Sequence, residues 1–239
     1  MRRRWLEIIL WLLIAAPLIF LLRHGLSFED RIVSTFGTTL SMTCVVIMLN
    51  LLLAYPAGKR IALHDGRATH LFELLISLPL FTPIILISFG LYFGFIRTGL
   101  SDTFLGVALV LLLPTLPYSV RMFANGFSAI GEAMLEQMVN FVPGRVRRFF
   151  LLTGPMLEST IQSVVLFVTV ITISQYALVT LVGGGVVRMI SLEAFPLFSD
   201  NDREAGRAIV WMLLLPAMLY GIQRLLFQGW KYLLRRHLG

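Results

Sequence analysis

Six apolar runs, each near the length of a bilayer crossing, leave this chain few ways to fold. They cover about Trp5 to Leu22, Ile32 to Tyr55, Leu71 to Phe95, Thr103 to Met122, Met156 to Val182 and Ala208 to Phe227. A hydrocarbon core of about 30 Å takes about 20 helical residues to cross. Inside it the backbone must satisfy its own hydrogen bonds, so runs of this kind become helices. Composition agrees, since 57% of the residues are hydrophobic and 14% charged. The expected fold class is therefore all-α: a polytopic membrane protein with six transmembrane helices, residues 1–239 forming a single membrane domain. The first run follows Arg2, Arg3 and Arg4 like a secretory signal, but no small-residue cleavage site closes it, which makes an uncleaved helix the expectation.

Sorting the basic residues by side gives the orientation. With the amino terminus inside, 14 lysines and arginines fall on the inner side and six outside, the bias that cytoplasmic loops carry. Both termini are then cytoplasmic, and the net charge of +7 reports topology rather than a nucleic-acid site. The single cysteine, Cys44, lies inside an apolar run, which rules out an internal disulfide framework.

The longest polar interruption is cytoplasmic on this reading, a loop at about 124–155 whose central stretch from Glu132 to Pro155 reads EAMLEQMVNFVPGRVRRFFLLTGP. Met134, Met138 and Phe141 recur at helical spacing, with Glu132, Glu136 and Asn140 on another face, so a short amphipathic helix is predicted up to the Pro143-Gly144 turn. Its glutamates suit a helix start. Arg145, Arg147, Arg148, Phe149 and Phe150 follow, the arginines being suited to anionic membrane lipid. Pro155 fits the first turn of the next helix.

On these residues the chain resembles the permease subunits of binding-protein-dependent ABC importers. Their cytoplasmic loop carries Glu-Ala-Ala, a glycine four positions on, and an aliphatic residue before Leu-Pro. Without a gap, Glu136, Leu152 and Pro155 fall at the glutamate, aliphatic and proline positions. Gln137 and Met138 replace the alanines, Val142 the glycine and Gly154 the leucine, while Gly144 offers a glycine two residues later. The resemblance implies a type I importer-like transmembrane domain in a prokaryotic cytoplasmic (inner) membrane, forming half of a translocation pathway. It also implies two ATPase subunits that carry ATP and Mg, a second permease chain, identical or homologous, and a solute-binding protein. Glu132, Met134, Glu136, Gln137, Met138, Phe141, Gly144 and Pro155 would then couple the chain to the ATPase. By family likeness the solutes closest in type are polyamines, ferric iron, thiamine and oxyanions such as sulfate, and these residues do not choose among them.

Polar residues at membrane depth mark helix contacts or pathways. Asn50, Gln175 and Tyr176 are the pathway candidates, the last two just before a flexible Gly183 to Gly185 stretch. Asp200, Asp202, Arg203 and Glu204 in the outer segment are candidates for binding-protein docking. Pro79 and Pro83 in run three, and Pro114 and Pro117 in run four, should bend or break those helices and turn them toward protein rather than lipid.

No catalytic constellation, metal-ligand spacing or Walker-type loop is present, so the chain is expected to be no enzyme and to bind no cofactor of its own. Two other classes remain open. A secondary carrier working without ATP would need an intramembrane acid or a broken-helix ion site, and the runs lack ionisable residues in their middles. A non-transporting membrane scaffold would use the cytoplasmic helix for another partner.

Overall fold

The structure, a computed structural model, describes residues 30–194 and 202–238, with side chains over 35–194 and 210–232. The first apolar run lies outside the described residues. Those described are helical: α1 Asp30–Leu63, α2 Arg67–Phe81, α3 Ile84–Thr98, α4 Phe104–Ile130 and α5 Glu132–Phe141. Then come α6 Arg145–Met156, α7 Glu158–Ser174, α8 Tyr176–Gly183 and α9 Asp202–Leu238, with residues 190–194 helical as well. Among the described residues three helices are long and apolar enough to cross a membrane, and the count rises to five if each of two bent pairs is one span.

The centre of the bundle is α4, 61% of whose apolar window is buried, against 28% for α1 and 17% for α9. It begins at Thr103, whose hydroxyl accepts from the Gly106 amide at 3.0 Å and so caps the first turn. Pro114 and Pro117 stand inside it, and the helix runs on through both. Of the bend or break expected in run four, the break is corrected. A proline frees a carbonyl one turn earlier, here those of Val110 and Leu113, whereas the Thr115 and Ser119 hydroxyls go to the Leu111 and Thr115 carbonyls at 2.8 and 3.0 Å. Packing against the neighbouring helices holds α4 through the two prolines. Val107, Val110, Leu111, Val120, Phe123 and Phe127 are all buried, in one core with Met42, Val46 and Ala54 of α1.

Helix α1 comes close to α4 because Gly58 has no side chain. A Cβ there would stand 2.5 Å from the Phe123 Cβ and 2.8 Å from the Ala124 amide nitrogen, so the contact admits only glycine.

Run three breaks as expected, at one of its two prolines. Pro79 stays inside α2, while at Pro83 the chain bends by 104° into α3. Thr82 is extended, as a residue before proline prefers, and Pro83 itself caps α3. One face of the pair packs on the bundle through Ile76, Ile84, Tyr92 and Phe95, while Leu71, Leu74, Leu78, Phe81, Leu86 and Phe93 on the other are exposed.

The two ends of the bundle differ. At one, Tyr55 of α1, Phe123 and Phe127 of α4, Phe149 and Phe150 of α6 and Trp230 of α9 meet ring against ring, and Lys231 pairs with Glu158. At the other, the Asp102 amide donates to the Val182 carbonyl at 2.8 Å and the Ile190 amide to Thr39 Oγ1 at 2.9 Å.

Candidate functional site

Helix α5 is the predicted amphipathic rod, and it leaves α4 through Gly131, whose φ of 82° only glycine adopts freely. Leu135 and Met138 turn inward and join the core, 8% and 5% exposed. The grouping of Met134, Met138 and Phe141 on one outward face is therefore corrected. Met138 anchors the rod, whereas Met134 and Phe141 are 46% and 79% exposed. Glu132, Glu136 and Gln137 are exposed with them. The exposed surface thus joins two carboxylates and an amide to two large apolar side chains.

The turn after the rod has Val142 extended and Gly144 at φ 94°. It therefore lies where the sequence puts its glycine, two residues past the family's position. Beyond it, α6 widens into a π-turn over Phe149–Thr153, in which the Gly154 amide donates to the Phe149 carbonyl. Pro155 sits in the last turn of α6, ahead of an 80° bend into α7, rather than at the start of the re-entering helix. Gly154, at the family's leucine position, has its space taken: a Cβ there would stand 2.6 Å from the Trp230 ring. The indole of α9 fills the place of that leucine.

Ring contacts tie the rod's base to the bundle. Tyr55 meets Phe149 at 5.5 Å and Phe127 at 5.2 Å, and Phe150 meets Trp230 at 5.8 Å, all edge to face. Sequence reasoning missed Tyr55 and Trp230. Their signal was an aromatic residue near the end of an apolar run, the usual place for an interfacial ring.

The pathway candidates fall on separate elements. Asn50 is fully buried in α1, where its Nδ2 donates to Thr115 Oγ1 of α4 and to the Val46 carbonyl, both at 2.9 Å, and its Oδ1 has no partner. It cross-links the two central helices. Gln175 and Tyr176 are half-buried at the break between α7 and α8. The glycines after α8 form a contact, not the flexible stretch expected: Gly184 is left-handed at φ 50°, and a Cβ there would collide with the Asp102 carboxylate. Asp200 lies outside the described residues. Asp202, Arg203 and Glu204 fall in the first turn of α9, with side chains outside the described ones. Among the described residues no His, Cys, Asp or Glu cluster suits a metal.

The chain matches none of the known family profiles. It is similar to a molybdate/tungstate transport system permease protein of Methanocaldococcus jannaschii, 22% identical over 231 residues that cover 91% of this chain and 92% of that one. A protein of the same description from Pyrococcus abyssi is 21% identical over 135 residues, 56% of this chain and 54% of that one. Both descriptions name molybdate and tungstate, and neither names a polyamine, iron, thiamine or sulfate.

Proposed function

We propose that this chain is the membrane-spanning permease subunit of an ATP-driven importer for molybdate- or tungstate-like oxyanions. The observation that carries the reading is α5: a short rod between two membrane segments, fixed inward by Leu135 and Met138 and presenting Glu132, Met134, Glu136, Gln137 and Phe141 outward. Similarity along 91% of the chain to a transport permease supports it. The first run supplies a sixth crossing, both termini are cytoplasmic, and the aromatic end of the bundle is the cytoplasmic one. The chain forms half of a pathway completed by a second permease chain.

On this reading two ATPase subunits close on ATP outside this polypeptide, and their motion enters through the outer face of α5. Leu135 and Met138 carry it into the core, and Tyr55, Phe149 and Trp230 spread it to α1, α4 and α9. Asn50 and Thr115 hold α1 and α4 together in the arrangement seen. A binding protein delivers solute at the opposite end, with Asp202, Arg203 and Glu204 at the start of α9, and Asp200 outside the described residues, as its docking candidates. The test is reconstitution with the ATPase and binding protein: Glu136→Arg should insert normally and abolish solute-stimulated ATP hydrolysis. Wild-type stimulation in that variant, or active transport by a preparation with no nucleotide-hydrolysing subunit, would overturn the proposal.

A further inference from the structure

Between α1, the inner face of α5 and α6 lies a cavity of about 410 Å³ that the coupling reading does not use. Its walls are apolar, from Leu51, Leu52, Tyr55, Val139, Phe149 and Phe150. Its remaining lining includes three cations, Lys59, Arg145 and Arg148, and no carboxylate. None of the three has an ion-pair partner among the described residues. Lys59 and Arg145 are exposed and Arg148 is half-buried, so an anion entering the cavity would meet three positive charges with no carboxylate competing for them.

A second feature says what kind of anion. An open apolar groove of about 460 Å³ lies along α1, sharing Leu51 and Leu52 with the cavity and lined otherwise by Met48, Ile47 and Cys44 of the same helix. At about 1.5 Å of rise per residue, Leu52 to Cys44 spans about 12 Å, close to the depth of one leaflet of a core about 30 Å thick. Met48 and Leu52 are 60% and 67% exposed. A free inorganic anion would use the cations and leave this groove empty. A charged head joined to a hydrocarbon chain fills both.

We propose that the cavity between α1, α5 and α6 binds the phosphate headgroup of an anionic phospholipid, one acyl chain of which lies along the α1 groove. The phosphate bridges Lys59 of α1 to Arg145 and Arg148 of α6, behind the rod. Bound lipid braces the rod's base against the membrane body and leaves its outer face free. The inference concerns binding by this chain alone, so it stands or falls independently of the transport reading.

The test uses the purified full chain in detergent, with phosphatidylglycerol, phosphatidylcholine or inorganic phosphate added separately. Lipid retained per chain is read by native mass spectrometry, and groove occupancy by the alkylation rate of Cys44, the one cysteine. Phosphatidylglycerol should be retained in preference to phosphatidylcholine and should slow Cys44 alkylation, while phosphate alone should leave that rate unchanged. Each cation contributes about fivefold in affinity for an anionic headgroup, so Lys59→Gln with Arg148→Gln should weaken retention about 25-fold. Arg60→Gln, beside the site but outside its lining, should change nothing. Met48→Trp fills the groove at an exposed position and should remove protection with all three cations in place. Equal retention of the two lipids, retention unchanged in the double variant, or protection by phosphate alone would overturn the proposal. So would a groove covered instead by a second copy of this chain, seen as Cys44 protection that follows dimer formation and ignores lipid.

Discussion

The two ends of the bundle are built from different materials. The rod end is held by side chains: rings of Tyr55, Phe127, Phe149, Phe150 and Trp230 in edge-to-face contact, and the Glu158–Lys231 pair. The far end has one such ring pair, Phe36 on Trp211, over a small cluster of Ile173, Ile190 and Leu215, and adds backbone contacts: the Asp102 amide on the Val182 carbonyl, the Ile190 amide on the Thr39 hydroxyl, and Gly184 pressed beneath a carboxylate. Ring contacts slide and re-form at a cost of about 1 kcal/mol each, whereas a buried backbone bond is kept or lost whole. An end that must take up a push from outside is served by the first kind, and an end that must hold its shape by the second.

Substitutions at the two ends should therefore fail differently. The largest effect is Glu136→Arg on the exposed face of α5: coupled ATP hydrolysis falls to background while melting of the detergent-purified chain stays where it was. Next is Gly58→Leu, which drives a side chain into Phe123 and the Ala124 backbone and should cost about 3 kcal/mol, read as a lowered melting temperature and poor insertion. At the far end Gly184→Val places a branched side chain at φ 50° against Asp102. It should cost about 2 kcal/mol and leave ATPase binding at the rod intact below the new melting point. Uncoupling by Gly184→Val in a fully folded protein would erase the distinction between the ends. Smallest is Lys231→Gln: Lys231 is 45% exposed, and its pair with Glu158 should contribute under about 1 kcal/mol.

The apolar runs were legible because a bilayer imposes one length on every crossing, and those from Ile32 to Phe227 fall on described helices: runs two, four and six on α1, α4 and α9, run three on the bent pair of α2 and α3, and run five on α7 with α8. What the prolines do was only half legible. Pro83 breaks run three, where the neighbouring side chains face outward, while Pro114 and Pro117 sit in an unbroken α4 enclosed by α1 and α7. The same residue type reads differently because packing, not propensity, decides whether a helix survives a lost donor. The rod was found from spacing, but its inward face was not. In ten residues, Met134 with Met138 and Leu135 with Met138 both satisfy helical periodicity, and only contact with the core chooses between them. The glycines at 183–185 suggested freedom, and the Asp102 carboxylate that fixes Gly184 lies 82 residues away in sequence.

The central claim is that a nucleotide-hydrolysing partner grips the outer face of α5. With Cys44 replaced by serine, Gln137→Cys on that face and Leu135→Cys on the buried one separate the two sides of the rod. In the assembled transporter Gln137→Cys should cross-link to the ATPase subunit, and Leu135→Cys should not. A Gln137→Cys variant that forms no such link, or that reacts only with a reagent confined to the cell exterior, would contradict the account.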